Sequence, residues 1–327
     1  MEDVKAPLPT TPIKFMDQFR AFIRLDGKSY ATENTYVYWV RQFILYHQKQ
    51  HPKDLDKTAI EAYLSHLSLS CDASPNTQKT ALNALMFLYN RFLNKPIEQL
   101  NFKYAKKPVR TPTVFTHEEA MSVINAMAMP YKLMAQLMYG SGLRISEVLR
   151  LRVKDVDFAM GYIVVRDGKG YKDRTTLLPK SVITDLQKQV EVVEKLLAFD
   201  KASGIGGVYL PHLLEKKYPA ASSSLGWQFL FPSADVSKDP RADVVRRHHI
   251  YSTTLQTHVK QSIKKSHIHK QASCHTFRHS FATRLLQAKY DLKQIQTLMG
   301  HTDIRTTEIY LHVLDDLGDK VKSPLDS

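Results

Sequence analysis

Between Asn94 and Thr113 the helical patterning of this chain stops. Pro96, Pro108 and Pro112 punctuate the stretch, and Lys103, Lys106, Lys107 and Arg110 crowd into it. Proline lacks a backbone N–H, and it pushes the residue before it into extended backbone, so no helix runs through such a segment. The 327 residues are thereby cut into two parts, each long enough to bury a core of its own. The boundaries read as a disordered, Pro- and charge-rich tail at 1–11, a helical unit at 12–96, a basic linker at 97–113 and a larger unit at 114–327.

The first unit reads as four amphipathic helices on short loops. Phe15, Phe19 and Phe22 share one face, and Tyr36, Val40, Phe43, Ile44 and His47 mark a second helix. A third runs from about Lys57 to Leu67. The fourth opens near Pro75-Asn76 and repeats Leu82, Leu85, Met86, Tyr89, Phe92 and Leu93, which predicts a helical bundle. In the second unit Thr116-x-x-Glu119 is a capping box. A helix from about Pro130 ends at Gly140-Ser141-Gly142, and Arg144 opens the next, with Ile145, Val148, Leu149 and Leu151 turned inward. Tyr162 to Arg166 and Arg174 to Leu178 flank Asp167-Gly168-Lys169-Gly170 as a hairpin. Helix resumes from Val182 to about Leu197, and Gly300 is a left-handed helix end. The fold class is mainly α with a small β-sheet: a helical bundle, then a mixed α/β unit.

Forty-six Lys and Arg against 32 Asp and Glu leave a formal net charge of +14. Such an excess points to a polyanionic partner, most simply DNA, and an extended basic linker with Lys106 and Lys107 suits a protein that wraps a duplex. Lys28, Arg41, Lys79 and Arg91 of the bundle read equally as phosphate contacts or as a solvated face. The sequence holds no apolar run of spanning length and no signal-peptide pattern, so no membrane partner is expected. Cys71 and Cys274 are its two cysteines, far apart; a reducing cytoplasm fits them and a disulfide framework does not.

The chemistry-bearing residues lie in the second unit: Arg144, Lys169, His275, Arg278, His301 and Tyr310. Two guanidinium groups match the charge that gathers on phosphorus oxygens in a transition state. Lysine protonates a leaving alkoxide, histidine donates or accepts, and a phenol of pKa about 10 is a nucleophile that loses its proton as it attacks. His275 and Arg278 are three apart, so one helix presents both to one phosphate. Zinc is the sharper rival, since His275 and His279 are spaced i, i+4. Against it, Arg278 sets a fixed cation between them and no third ligand follows with clear spacing, so no metal is expected. The Gly-x-x-x-x-Gly-Lys-Ser/Thr loop of nucleotide phosphate sites is absent, and no cofactor is expected.

Leu143-Arg144-Ile145-Ser146-Glu147, Gly168-Lys169-Gly170, His275-x-x-Arg278-His279, Gly300-His301 and Thr306-Thr307-x-x-Tyr310 resemble the signature of tyrosine recombinases over nearly the whole chain. The resemblance implies a core-binding helical domain (SAM-like) and a mixed α/β catalytic domain that clamp DNA. It implies that Arg144, Arg278 and His301 hold the scissile phosphate, that Lys169, with Lys172 as a nearby competitor, protonates the 5′ leaving oxygen, and that His275 assists proton removal from Tyr310. Tyr310 forms a 3′-phosphotyrosyl link, and Glu147 orients the arginine. Phe277, Ser280 and Arg284 depart from the more usual Leu, Thr and His without removing a functional group.

Residues 200 to 250, rich in Gly, Pro and aromatics, are too long for a plain connection. Gly207-Val208-x-Leu210-Pro211, Lys217-Tyr218-Pro219, Trp227, Phe231-Pro232-Ser233, Asp239-Pro240 and Arg246-Arg247-His248-His249 resemble the insertion of integron integrases, which recognises bases extruded from a folded single-stranded cassette site. An unpaired base stacked on an aromatic ring gains about 1–3 kcal/mol. Trp227, His248 and Pro240 are the candidate platform, Arg246 and Arg247 candidate phosphate contacts, and His249 a further DNA-binding candidate. A hydrophobic mini-core under a long loop is the other reading of Trp227. The apolar stripe after Tyr310 implies, by the same resemblance, a C-terminal helix at about 312–327 exchanged within a homo-tetramer; intramolecular packing is the alternative. Rival functions are another tyrosine recombinase, such as a phage integrase or chromosome-dimer resolvase, and a DNA-binding regulator without catalysis.

Overall fold

A computed structural model describes residues 7–98, 100, 112–166, 173–210, 214–239 and 244–317, with backbone alone for Lys216 and 312–317. The chain falls into two compact units, 1–109 and 110–327. In the first, α1 (Phe15–Leu25), α2 (Tyr30–Tyr46), α3 (Lys57–Leu69) and α4 (Pro75–Phe87) form a bundle, and α4 continues through a wide π-helical turn to Phe92. Three of these helices start where a side chain accepts an orphan backbone N–H: Ser29 from Thr32, Asp56 from Thr58 and Ala59, Ser74 from Thr77. Phe19, Ile23, Val40, Phe43, Ile60, Leu64, Leu85 and Leu88 are fully buried between them, each contributing about 1.5–3 kcal/mol relative to an exposed side chain. Glu33 is buried too, held by Arg24 at 2.8 and 2.9 Å and by Arg20 at 3.2 Å. Of the bundle's candidate phosphate contacts, Lys28 and Arg91 both pair with Asp26, while Arg41 and Lys79 are exposed.

The second unit is mostly helical. It contains α5 (His117–Asn125), α6 (Tyr131–Gly140), α7 (Ile145–Arg150), α8 (Ile183–Ala202), a single turn α9 (Leu214–Lys217), α10 (Ser252–Lys265), α11 (Cys274–Gln287), α12 (Leu292–Met299) and α13 (Arg305–Leu317). Strands β1 (Val156–Asp157), β2 (Tyr162–Val165) and β3 (Arg174–Leu177) form an antiparallel sheet in that order, with Tyr162 opposite Leu177 and Val165 opposite Arg174. The capping box predicted at Thr116 and Glu119 closes reciprocally, at 2.8 and 3.2 Å. α11 runs through the core with Phe277 fully buried, packed against α6 and α13.

Two glycines allow the backbone to close around the site. Gly142 has φ +64°, and a Cβ there would lie 2.5 Å from the Phe281 ring; Gly300, at φ +61°, would bring one within 2.6 Å of Arg174 Cδ. Only glycine meets both demands without strain.

The 200–250 segment carries structure that the pattern of its residues did not announce. β4 (Pro232–Lys238) and β5 (Val245–His249) pair as an antiparallel hairpin with a register shift between Pro232 and Val236. Val208, Leu210 and Phe229 form a small buried cluster with Leu214, Ala221 and Trp227 against it. Arg152 clips this cluster to the helical core: its guanidinium donates to the carbonyls of Tyr209 and Trp227 and lies over the rings of Phe229 and Trp227, 4.6 and 5.5 Å from their centroids. The mini-core reading of Trp227 therefore describes its packing. α8 extends to Ala202, a turn beyond the expected end, and Tyr310 lies within α13; residues 318–327 of the expected C-terminal helix at about 312–327 lie outside the described residues.

Candidate active site

Arg144 is the N-cap of α7, and Glu147 at the third helical position accepts its backbone N–H at 2.7 Å, as an acidic residue at a helix start does. The same carboxylate accepts the Arg144 guanidinium at 2.7 Å and both Nη atoms of Arg174 at 2.8 Å, and Arg278 Nη1 lies 3.7 Å from it. Glu147 thus sits among three guanidinium groups. Burial alone would raise its pKa, but the hydrogen bonds and charge of Arg174, then of Arg144, outweigh that and hold it at about 2.

Arg278, 3% exposed, is fixed by two backbone carbonyls, donating to Gly142 O from Nη1 and to Met299 O from Nη2. One planar fork therefore ties together the turn before α7 and the end of α12, which its rigid geometry suits and a lysine's point charge does not. Arg174 makes a parallel tie, donating from Nε to Leu298 O at 2.9 Å. Burial and the neighbouring Arg144 lower the Arg278 pKa to about 9, so the group stays charged at neutral pH.

His301 follows the left-handed Gly300, and its Nδ1 lies 2.9 Å from Thr307 Oγ1. Tyr310 is 3% exposed; its ring is nearly parallel to that of His301, with centroids 6.4 Å apart. Its hydroxyl lies 2.8 Å from His279 Nδ1. Burial raises the phenol's pKa while Arg278 and Arg144 pull it down. Desolvation, joined by the nearby cations, lowers all three imidazoles, His279 to about 4 and His301 to about 3. His279 and His301 are therefore neutral at physiological pH.

Of the residues singled out in the sequence, the structure brings Arg144, Glu147, Arg278, His301 and Tyr310 together. His275 stands one turn from His279, ring centroids 6.3 Å apart, and among the described residues it makes no hydrogen bond to Tyr310. Lys169, Lys172, Pro240, Lys106 and Lys107 lie outside the described residues. Two residues were missed. His279 was quoted in the family motif and weighed as a metal ligand but given no role towards Tyr310, and Arg174 was read only as a strand residue; its signal was a basic residue four positions after a Gly-Lys-Gly turn, which means little until Glu147 is seen opposite. Among the described residues no three His, Cys, Asp or Glu side chains are grouped to hold a metal ion.

The expectations for the insertion need correcting. Arg246, 8% exposed, donates to Gly207 O at 2.7 Å and Glu215 at 2.8 Å. Arg247 forks onto Asp200 with two 2.7 Å bonds and donates to Ser233 O at 2.9 Å. Both guanidinium groups are committed inside the protein, so they brace the β4–β5 hairpin rather than reach for phosphates. His249 is buried, its Nδ1 2.8 Å from Ile250 O, and offers no open stacking face. His248 is half-buried, packed on Phe229 and His249. Trp227 is half-buried with Lys154 Nζ 2.9 Å from its ring centroid, and burial, then the Arg166 charge, lowers that lysine's pKa to about 8.

Residues 113–316 match the phage integrase family, and residues 15–99 match the phage integrase N-terminal SAM-like domain. An integrase/recombinase of Escherichia coli is 44% identical over 329 residues, covering 100% of this chain and 98% of its own length. A tyrosine recombinase of Thermosipho africanus is 26% identical, covering 93% of this chain and 95% of its own. The fold is shared with a lambda integrase dimer bound to a core site (TM-score 0.61, 16% identity, covering 94% and 96%). It is shared also with the Tn1549 transposon integrase in complex with transposon right-end DNA (TM-score 0.61, 17% identity, covering 95% and 96%). With the family spanning both units and a full-length relative at this identity, the chain belongs to the phage integrase family of tyrosine recombinases.

Proposed function

We propose that this recombinase is of the integron integrase type: it cleaves and rejoins DNA through a 3′-phosphotyrosyl link at Tyr310, inserting and excising gene cassettes at a duplex attachment site and at folded single-stranded cassette sites. The observation that carries the cleavage chemistry is the buried Tyr310 hydroxyl, within reach of a neutral imidazole and under the charge of Arg278 and Arg144. In this reading Arg144, Arg278 and His301 clamp the scissile phosphate. Both arginines are already held by backbone carbonyls or Glu147, so they do not reorganise when charge develops. Lys169, or Lys172 beside it, protonates the 5′ oxygen. The broken bond's energy stays in the phosphotyrosine, so religation needs neither metal nor ATP. The enzyme acts in the cytoplasm as a homo-tetramer on DNA, exchanging the segment after Tyr310. The +14 net charge supports a DNA partner.

The integron assignment is supported by the 200–250 segment, which is a folded, braced module rather than a loose loop and leaves Trp227 half-buried beside Lys154. A ring with a neighbouring cation suits an extruded base flanked by phosphate. Incubation in EDTA with a labelled hairpin carrying extruded bases, beside a matched perfect duplex, tests it. Trp227→Ala should weaken cleavage of the hairpin far more than that of the duplex. Equal loss on both substrates would refute the platform, and no preference of the unaltered protein for the hairpin would favour a phage integrase or chromosome-dimer resolvase.

A further inference from the structure

We propose that Lys154 is a specificity-determining residue for folded single-stranded sites: its ammonium covers the Trp227 ring until an extruded base takes that place, and then pairs with the phosphate beside the base. This rests on the platform reading above. Lys154 Nζ lies 2.9 Å from the centroid of the Trp227 ring, and the two segments are so close that a Cβ on Gly226 would meet Lys154 Cβ at 3.6 Å. The indole also packs on the cluster of Val208, Leu210 and Phe229, and Arg152 Cζ lies 5.5 Å from its centroid. The two cations differ in how they are held. Arg152, 8% exposed, donates to the carbonyls of Tyr209 and Trp227 and cannot leave without opening the module. Lys154 is half-buried, and among the described residues its ammonium makes no hydrogen bond or ion pair. A compact charge on a flexible four-carbon stem can swing off the ring while its backbone stays in place.

The surrounding charges favour a phosphate. Arg152, Lys154 and Arg166, just after β2, stand around one carboxylate, Asp155. Its Oδ2 accepts the Arg152 backbone N–H at 2.9 Å and its Oδ1 accepts Arg166 Nε at 2.7 Å. With both oxygens engaged, Lys154 has no anion of its own. Burial, then Arg166 and Arg152, disfavour its charged form where it lies, and Asp155 opposes them only in part. A phosphate within reach would favour that charge. A nucleotide extruded from a folded strand presents base and phosphate together, so the base stacks on the indole and the phosphate receives the displaced ammonium. A loose strand offers the same groups but must order the nucleotide before both can engage. Where the base alone arrives, it displaces a favourable cation–ring contact with nothing gained in return. One side chain thus obstructs arbitrary bases and rewards a base held in the right frame.

The test uses the full chain in a Trp39→Phe background, where Trp227 is the one remaining tryptophan. Affinities are compared at fixed salt for a hairpin with one extruded base, the same hairpin abasic at that position, a perfect duplex and an unstructured single strand. Lys154→Met, apolar and of similar length, should lower the ratio of hairpin to single-strand affinity by about tenfold and leave duplex binding within about twofold. An unchanged ratio would overturn the assignment. So would equal weakening on every substrate with each salt slope lowered by about one, the mark of an ordinary phosphate contact. If neither Trp227→Ala nor the abasic change weakens hairpin binding, the platform itself fails and this proposal with it. If both do while Lys154→Met leaves the ratio alone, Lys154 is misassigned and the platform stands. A second measurement needs no substituted lysine: Trp227 fluorescence of the protein without DNA should change with a midpoint near pH 8 as the ammonium on its ring loses its proton. A signal level between about pH 7 and 9 would overturn the placement of that charge on the indole.

Discussion

Replacing Glu147 by Gln keeps the shape of the side chain and removes the one negative charge shared by three arginines. The carboxyl's pKa falls from an ordinary 4.5 to about 2 because Arg174 and Arg144 outweigh its burial. At about 1.4 kcal/mol per pH unit, that gap is worth about 3 kcal/mol of folded-state stability. The figure agrees with the roughly 3–5 kcal/mol lost when one partner of a buried ion pair is removed. The folded-state pKa lies below the unfolded one, so the contribution is fully present above pH 4.5 and fades as pH falls towards 2. The chain has two tryptophans, Trp39 in the first unit and Trp227 in the second. In a Trp39→Phe background, urea unfolding followed by fluorescence therefore reports the second unit alone. Glu147→Gln should cost about 3 kcal/mol at neutral pH, with the gap closing as the acid limit is approached. A cost below about 1 kcal/mol at neutral pH, or a gap constant with pH, would refute the view that this carboxylate is the electrostatic keystone.

Arg278→Lys keeps the charge but cannot bridge Gly142 O and Met299 O, so cleavage should fall by about 10²-fold or more with modest loss of DNA affinity, read as the single-turnover rate. Near-normal cleavage would show that the fork is not needed. Arg247→Ala removes a part-buried fork to Asp200 and should destabilise the second unit by about 1–3 kcal/mol, while the salt dependence of DNA binding stays unchanged. A salt slope lowered by about one would instead mark Arg247 as a phosphate contact.

The helices and the β2–β3 hairpin were legible because their signals are local: apolar periodicity, caps at Ser29, Asp56, Ser74 and Thr116, and a Gly-flanked turn between two short runs. The clustering of Arg144, Arg278, His301 and Tyr310 was expected from motif resemblance, since these residues are 166 positions apart at the extremes and share no periodicity. What escaped were partnerships without a sequence signature. Arg152, Arg246 and Arg247 look like surface charges, yet their partners include backbone carbonyls of Tyr209, Trp227, Gly207 and Ser233, which any residue would supply. β4 reads Pro-Ser-Ala-Asp-Val-Ser-Lys, with no apolar alternation, because one strand of a bulged, largely exposed hairpin needs backbone pairing and little else. His279 stands in the same motif as His275, and only the turn of α11 shows which of the two imidazoles lies against the phenol in this structure.

The central claim is that Tyr310 is the nucleophile, and a direct measurement traps the product. The protein is incubated in EDTA with a nicked attachment site whose cleaved fragment diffuses away, digested with protease, and the peptide bearing nucleotide is sequenced by mass spectrometry. The account predicts a nucleotide joined through its 3′-phosphate to the Tyr310 peptide, absent from Tyr310→Phe. An adduct on another residue, or one that persists in Tyr310→Phe, would contradict it.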